Sequence, residues 1–348
     1  MMKVGYVYDP VYLKHDTGYH PENAQRLEAT MAHLEETGLI EQLTQITPRP
    51  ATVEELTYVH QISYISSIQD AASRGGGWLD GDTVMSPDSY DAALYAAGGA
   101  IEAADAVING RVNSAFALVR PPGHHATALA AMGFCLFNNI AIAARHALEK
   151  HKLEKVAIID FDVHHGNGTQ EAFYRNPQVL YISTHQYPHY PGTGTIGETG
   201  SGAAKGSTVN IPLPSGSGDD EYRQVFEQII VPVTRHFRPE LILVSAGYDP
   251  HWKDRLAMME VSTTGFAEMV QTIKELADEL CDGKIVVTLE GGYNLKALAT
   301  SVKATFDVLL GKPDIEDPLG PPERRWAAPD ISGLIQMIKE THNIDGKR

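Results

Sequence analysis

Six short apolar runs, rich in β-branched residues, limit what this chain can fold into. They are VGYVY (4–8), FALV (116–119), VAIIDF (156–161), VLYIS (179–183), LILVS (241–245) and IVVTL (285–289). Runs of this length without polar alternation suit strands covered on both faces. Longer helical patterns separate them, over 88–108, 138–150, 220–236 and 263–281, the first with Ser86 or Asp88 as its expected cap. Strand and helix in alternation specify an α/β fold with a mainly parallel sheet. The Gly-rich segment 192–218 reads as a long functional loop, and GPPERRWAAPD (320–330) as a separator before a short C-terminal helix. No internal repeat or low-complexity linker marks a boundary. The 348 residues, 43% of them hydrophobic, are therefore expected to form one domain over 1–348.

Reactive residue types gather where those runs stop. One run ends in His124 and His125, another in Asp160, Asp162, His164 and His165, a third in Ser183, Thr184 and His185. Two more end in Asp249 and in Glu290 with Tyr293. Ligands of open parallel sheets bind at the carboxyl ends of strands, so convergent polar ends predict an active site there. The stretch AIIDFDVHHGNGT (157–169) is the most demanding, because burying an unpaired charge costs several kcal/mol. Residues i and i+2 of a strand share a face, so Asp160 and Asp162 can look the same way, and His164 follows as the chain turns at Gly166. Two carboxylates and one imidazole, with a position left for water, suit a catalytic Zn²⁺ or Fe²⁺. One of the two aspartates can instead orient a ligand or bind another cation, and Asp249 is then the natural third donor.

Composition removes several classes of function. A net charge of -16 argues against direct binding to nucleic acid or an anionic membrane, and suits a cationic partner such as a lysine-rich peptide or a polyamine. Two distant cysteines, Cys135 and Cys281, allow no disulfide framework or Cys-based zinc site, so a reducing, cytoplasmic setting is expected. MMKVGYVYDP reads as a first strand rather than a signal peptide, and no apolar run is long enough for a membrane span. GTGTIG (192–197) matches the dinucleotide fingerprint, yet no helix follows to receive a pyrophosphate. No nucleophile elbow, H-E-x-x-H or P-loop is found.

The ordered set RPPGHHA, DFDVHHGNGTQ, PGTG, SAGYD and LEGGYN resembles the histone deacetylase and acetylpolyamine amidohydrolase superfamily, across roughly residues 3–310. TGYHPENAQRLE (17–28) is similar to its opening segment in class II-like and bacterial branches. The resemblance implies a mainly parallel eight-stranded sheet flanked by helices, and a metal-dependent amidohydrolase that removes acetyl or other acyl groups from lysine. Asp162, His164 and Asp249 would ligate Zn²⁺ or Fe²⁺. His124 and His125 would form the acid and base pair, with Asp160 behind the first and Asn167 behind the second. Tyr293 would donate to the scissile carbonyl. Phe134 and Tyr190, with Gly133, Gly292 and Leu256, would line a narrow acyl-lysine channel. Asp160, Asp162 and His164 carbonyls, with Ser183 and Thr184, would hold structural K⁺ or Na⁺.

A tyrosine at 293 favours a competent enzyme over an inactive acyl-lysine reader. Leucine at 256, where polyamine-selective relatives place a glutamate, leans toward an acetylated lysine peptide or protein rather than an acetylated polyamine. Asp82 could hydrogen-bond a peptide backbone; His20 and His60 are expected to be structural, and His185 and His189 receive no role. A homo-oligomer is compatible with the sequence but not specified by it.

Overall fold

The computed structural model describes residues 2–323 and 327–344. Its strands are β1 (Val4–Val7), β2 (Thr44–Ile46), β3 (Gly77–Trp78), β4 (Val84–Met85), β5 (Ser114–Ala117), β6 (Val156–Asp160), β7 (Val179–Gln186), β8 (Thr208–Leu213), β9 (Leu241–Ala246) and β10 (Ile285–Leu289). Eight of them form one sheet in the order β2-β1-β5-β10-β9-β6-β7-β8, with every pairing parallel. β3 and β4 form a separate antiparallel hairpin. The helices are α1 (Gln25–Glu36), α2 (Val53–Leu56), α3 (Ile62–Ser73), α4 (Ser89–Ile108), α5 (Asn139–Lys150), α6 (Asn167–Phe173), α7 (Asp219–Val225), α8 (Val231–Phe237), α9 (Thr263–Leu280), α10 (Leu295–Leu309) and α11 (Ser332–His342).

Each of the six apolar runs overlaps a strand, β5 being displaced two residues toward the N-terminus of its run, and those strands are buried along their whole length. Helices α4 and α5 pack together beside the sheet, while α1, α10 and α9 form a second row. A smaller core of Leu56, Tyr64, Ile68, Ile101 and Phe137 sits under the segment that leads into α5. Strand register fixes the site: Asp160, the last residue of β6, lies between Ser183 of β7 and Ser245 of β9.

The structure corrects the sequence reading at several points. The 192–218 segment is not one loop, because residues 208–213 form the edge strand β8. Asn210 and Pro212 hide it from a pattern search, and an edge is where proline is tolerated in a sheet. The expected helix over 220–236 is broken by a π-helical turn at Phe226–Ile230. Pro232 in the next turn has no N–H to give the ladder, which is a common cause of such breaks. Neither Ser86 nor Asp88 caps α4 with its side chain. Instead Ser89 Oγ accepts from the Ser86 N–H at 2.7 Å. Within the 320–330 separator, residues 324–326 lie outside the described residues.

Candidate active site

Five adjacent strands, β5, β10, β9, β6 and β7, deliver the predicted residues to one edge of the sheet. The loop after β5 turns over the sheet and carries His124 and His125. Glu290, at the end of β10, holds this loop: its Oε2 accepts from the Gly123 and His124 N–H groups at 2.7 and 3.1 Å. Its Oε1 accepts from Ser245 Oγ at 3.1 Å.

The two histidine rings lie 4.0 Å apart and are backed differently. His124 Nδ1 is 3.1 Å from Asp160 Oδ2, the same oxygen that Tyr181 reaches with its hydroxyl. His125 Nδ1 is 2.8 Å from Asn167 Oδ1, at the start of α6. Burial opposes charge on His124, but Asp160 and Asp162 outweigh it and lift its pKa to about 10. Burial lowers His125, and the charges of His124 and His164 push it further down. A pair of titratable groups driven apart by their surroundings marks an acid and a base.

Next to this pair, Asp162, His164 and Asp249 bring donor atoms within 4.8 Å of one another. His164 Nδ1 is 3.1 Å from Asp162 Oδ1 and 3.1 Å from Asp249 Oδ2. The other carboxylate oxygens are taken by backbone: Asp162 Oδ2 by the Gly291 N–H at 2.8 Å, Asp249 Oδ1 by the Val163 N–H at 3.0 Å. Apart from that contact with His164, buried Asp249 Oδ2 has no hydrogen-bond partner among the described residues. The two carboxylates lift His164 to about 10 against the effect of burial, and burial together with Asp162 lifts Asp249 to about 6. Two buried anions and a ring nitrogen thus draw positive charge to one point. A Cβ on Gly291 would stand 2.3 Å from Asp249 Oδ2 and 2.6 Å from Asp162 Oδ2, so the backbone closes tightly around that point. The donor set fits Zn²⁺ or Fe²⁺.

A cavity of about 180 Å³ leads to these groups, with Phe134, Tyr190, His189, Leu256 and Tyr293 in its wall. Phe134 faces Tyr293 edge-on at 5.7 Å, and Tyr190 faces His125 at 5.2 Å. Gly133 and Gly291 line the cavity, and the expected Gly292 does not. The Gly292 carbonyl is taken by Arg26 Nε at 2.7 Å. Asp82, on the β3–β4 hairpin, also lines the cavity. A larger hollow of about 900 Å³ beside α6 includes Asn167 but none of the three donors. Chemistry, not size, selects the smaller cavity.

Ser183 and Thr184 lie beside Asp160. Thr184 Oγ1 is 3.5 Å from the Asp160 carbonyl, while Ser183 Oγ contacts His185 Nδ1 at 2.9 Å. His185 is a fully buried residue of β7. His189 stacks on His164 at 5.1 Å and reaches the Leu256 carbonyl at 3.0 Å, a site position that sequence reasoning left without a role. His20 packs edge-on against Phe134 at 4.4 Å. His60 bridges the Asn138 N–H and the Thr127 carbonyl at 2.9 and 2.8 Å and is structural.

Sequence reasoning also missed the support of Tyr293. Asp254 Oδ2 accepts from the Tyr293 and Asn294 N–H groups at 2.6 and 2.9 Å. The Arg26 guanidinium lies 5.0 Å from the Tyr293 ring centre. Arg26 and Arg120 both pair with buried Glu22, at 3.1 and 2.6 Å. The available signal was the density of charge in HPENAQR and the arginine that opens RPPGHH.

An all-parallel sheet that ends in an Asp-His-Asp donor set beside paired histidines defines a deacetylase-type hydrolase centre. The chain belongs to the histone deacetylase family: residues 20–309 match the histone deacetylase domain. It is 41% identical to a probable deacetylase of Archaeoglobus fulgidus, over 99% of this chain and 96% of that protein. It is also 41% identical to the chloroplastic histone deacetylase 14 of Arabidopsis thaliana, over 95% of this chain and 82% of that one. The crystal structure of the HDA15 HD domain superposes with a TM-score of 0.87 at 35% identity, covering 98% of this chain and 96% of that one. No helix among the described residues is long and apolar enough to cross a membrane.

Proposed function

We propose that this protein is a metal-dependent deacetylase of acyl-lysine in peptides or proteins. The carrying observation is the convergence of three donors and two differently backed histidines at the base of a narrow aromatic cavity. Asp162, His164 and Asp249 would hold Zn²⁺, with Fe²⁺ as the alternative. When bound, the ion supplies Lewis-acid polarisation of the amide and acidifies a water.

The remaining chemistry belongs to side chains. Phe134 and Tyr190 hold the apolar stem of the substrate and exclude water from the reacting amide. His125, kept neutral, accepts a proton from the attacking water and returns it to the leaving amine. Asp160 keeps His124 protonated, so a positive charge stands beside the oxygen where negative charge develops. Tyr293 donates its O–H to that oxygen, and such donors are worth most in a site closed to solvent. Ser183, Thr184 and the carbonyls of Asp160, Asp162 and His164 would hold K⁺ or Na⁺ and stiffen the end of β6.

Leu256 supports a lysine side chain over a polyamine, because it offers no charge to a second ammonium. Two buried free cysteines fit a reducing compartment such as the cytoplasm. The zinc-reconstituted protein should release acetate from an acetyl-lysine peptide with a kcat/KM at least about tenfold above that for N-acetylputrescine. The reverse order would move the protein to acetylated polyamines.

A further inference from the structure

Outside the lining of the cavity, Asp105 of α4, His146 of α5 and His151, which follows α5, converge on one point. His146 Nε2 and His151 Nε2 lie 2.9 and 2.6 Å from the same oxygen, Asp105 Oδ1, and the rings are 5.7 Å apart. The three donor atoms all fall within 4.8 Å of one another. We propose that these residues form a second divalent-metal site, taking Zn²⁺ through both Nε2 atoms and the Asp105 carboxylate.

A simple ladder of two neutral histidines donating to Asp105 leaves one atom unexplained. His146 Nδ1 is buried, has no hydrogen-bond partner among the described residues, and stands 3.8 Å from Glu55 Oε1. If His146 carries its proton on Nε2, the Nδ1 lone pair faces a carboxylate that Arg49 holds ionised at 2.7 Å. A metal on Nε2 moves the imidazole proton to Nδ1, where it points at Glu55. That carboxylate–histidine–metal arrangement orients ligands in many zinc sites. The donor set of two imidazoles and one carboxylate is one that zinc accepts with water as fourth ligand. Asp105 and His151 are 25% and 19% exposed, so water can reach the site from that side.

The position gives the site a consequence. An ion there pins the C-terminal end of α5 to α4. The other end of α5 opens at Asn138, whose Nδ2 donates to the Ala126 carbonyl at 3.3 Å, next to His125. The site would therefore brace the helix on which the histidine loop rests. It uses none of the residues assigned to the catalytic metal, so the two assignments fail or survive separately.

The test is zinc content per chain after saturation with Zn²⁺ and exhaustive desalting. Wild type is expected to retain two ions, and His151→Gln, Asp105→Asn and Asp162→Asn one each. Zinc should raise the Tm of Asp162→Asn, and that rise should vanish when His151→Gln is added. One ion in wild type, lost in Asp162→Asn and unaffected by His151→Gln, would overturn the proposal and leave the cluster as two histidines hydrogen-bonded to Asp105. His151 is partly exposed at a helix end, so its variant is expected to fold; Asp105→Asn provides the second check.

Discussion

Gly133 stands at φ +55° with His125 packed against its Cα, and a Cβ there would lie 2.3 Å from His125 Cδ2. Its neighbour Phe134, at φ +70°, accepts the strain of a left-handed residue so that its ring can wall the cavity. The Thr83 hydroxyl accepts the Phe134 N–H at 3.1 Å and holds that turn. Gly133→Ala combines backbone strain of roughly 1–2 kcal/mol with displacement of the His125 ring, the proposed base. Its kcat should fall at least about 100-fold, the order of loss that a 1 Å misplacement produces, while circular dichroism stays native. Near-normal turnover would mean that His125 is not the base. The candidate site residues were legible in the sequence because they gather in or shortly after the ends of the apolar runs. The residues that hold them were not. Asp254 and Arg26 act on Tyr293 from positions 39 and 267 residues away along the chain, and no local pattern reports such contacts.

At the scale of elements, the sheet was legible in its centre and silent at its edges. Strands β5, β6, β7, β9 and β10 are covered on both faces and read as continuous apolar runs. β2 and β8 are edges, shorter or interrupted by polar residues and proline, and carry no such signature. The break between α7 and α8 was equally hidden, since a π turn keeps helical periodicity on either side. Glu290 is the joint between two of these elements, tying the end of β10 to the loop after β5. Glu290→Ala would orphan the Gly123 and His124 N–H groups, each worth about 1–3 kcal/mol when buried and unpaired. Glu290→Gln keeps an acceptor for them and can donate to Ser245 Oγ. The alanine variant should lower both the urea midpoint and kcat, and the glutamine variant should restore most of each. Equal losses in the two would show that the charge of Glu290, not its position, is what matters.

Across the whole molecule, buried ion pairs tie the N-terminal third to the catalytic edge. Glu22 is fully buried against Arg26, Arg120 and His15, and although burial opposes its charge the arginines hold its carboxyl well below the usual range. Glu55, hydrogen-bonded to Arg49 and to Thr52, is likewise lowered to about 2 against the cost of burial. A carboxylate whose folded pKa is depressed contributes stability above its ordinary value near 4.5 and loses it as the pH falls toward the folded value. Stability should therefore decline from about pH 4.5 downward, and the slope should be shallower in Glu55→Gln. Urea unfolding at stepped pH checks this; an unchanged slope would mean that the Arg49–Glu55 pair contributes nothing. Removing Glu22 alone should be far more damaging, because it leaves two buried guanidinium groups short of their anion.

The most direct measurement of the central claim is acetate release and zinc content followed together in Asp162→Asn and Tyr293→Phe. Asp162→Asn is predicted to lose the catalytic ion and turnover in step. Tyr293→Phe should keep the ion and lose about 10²–10³ in kcat, the usual worth of one oxyanion donor. Acetate release that survives in Asp162→Asn without its ion would contradict a metal-dependent centre built on Asp162, His164 and Asp249.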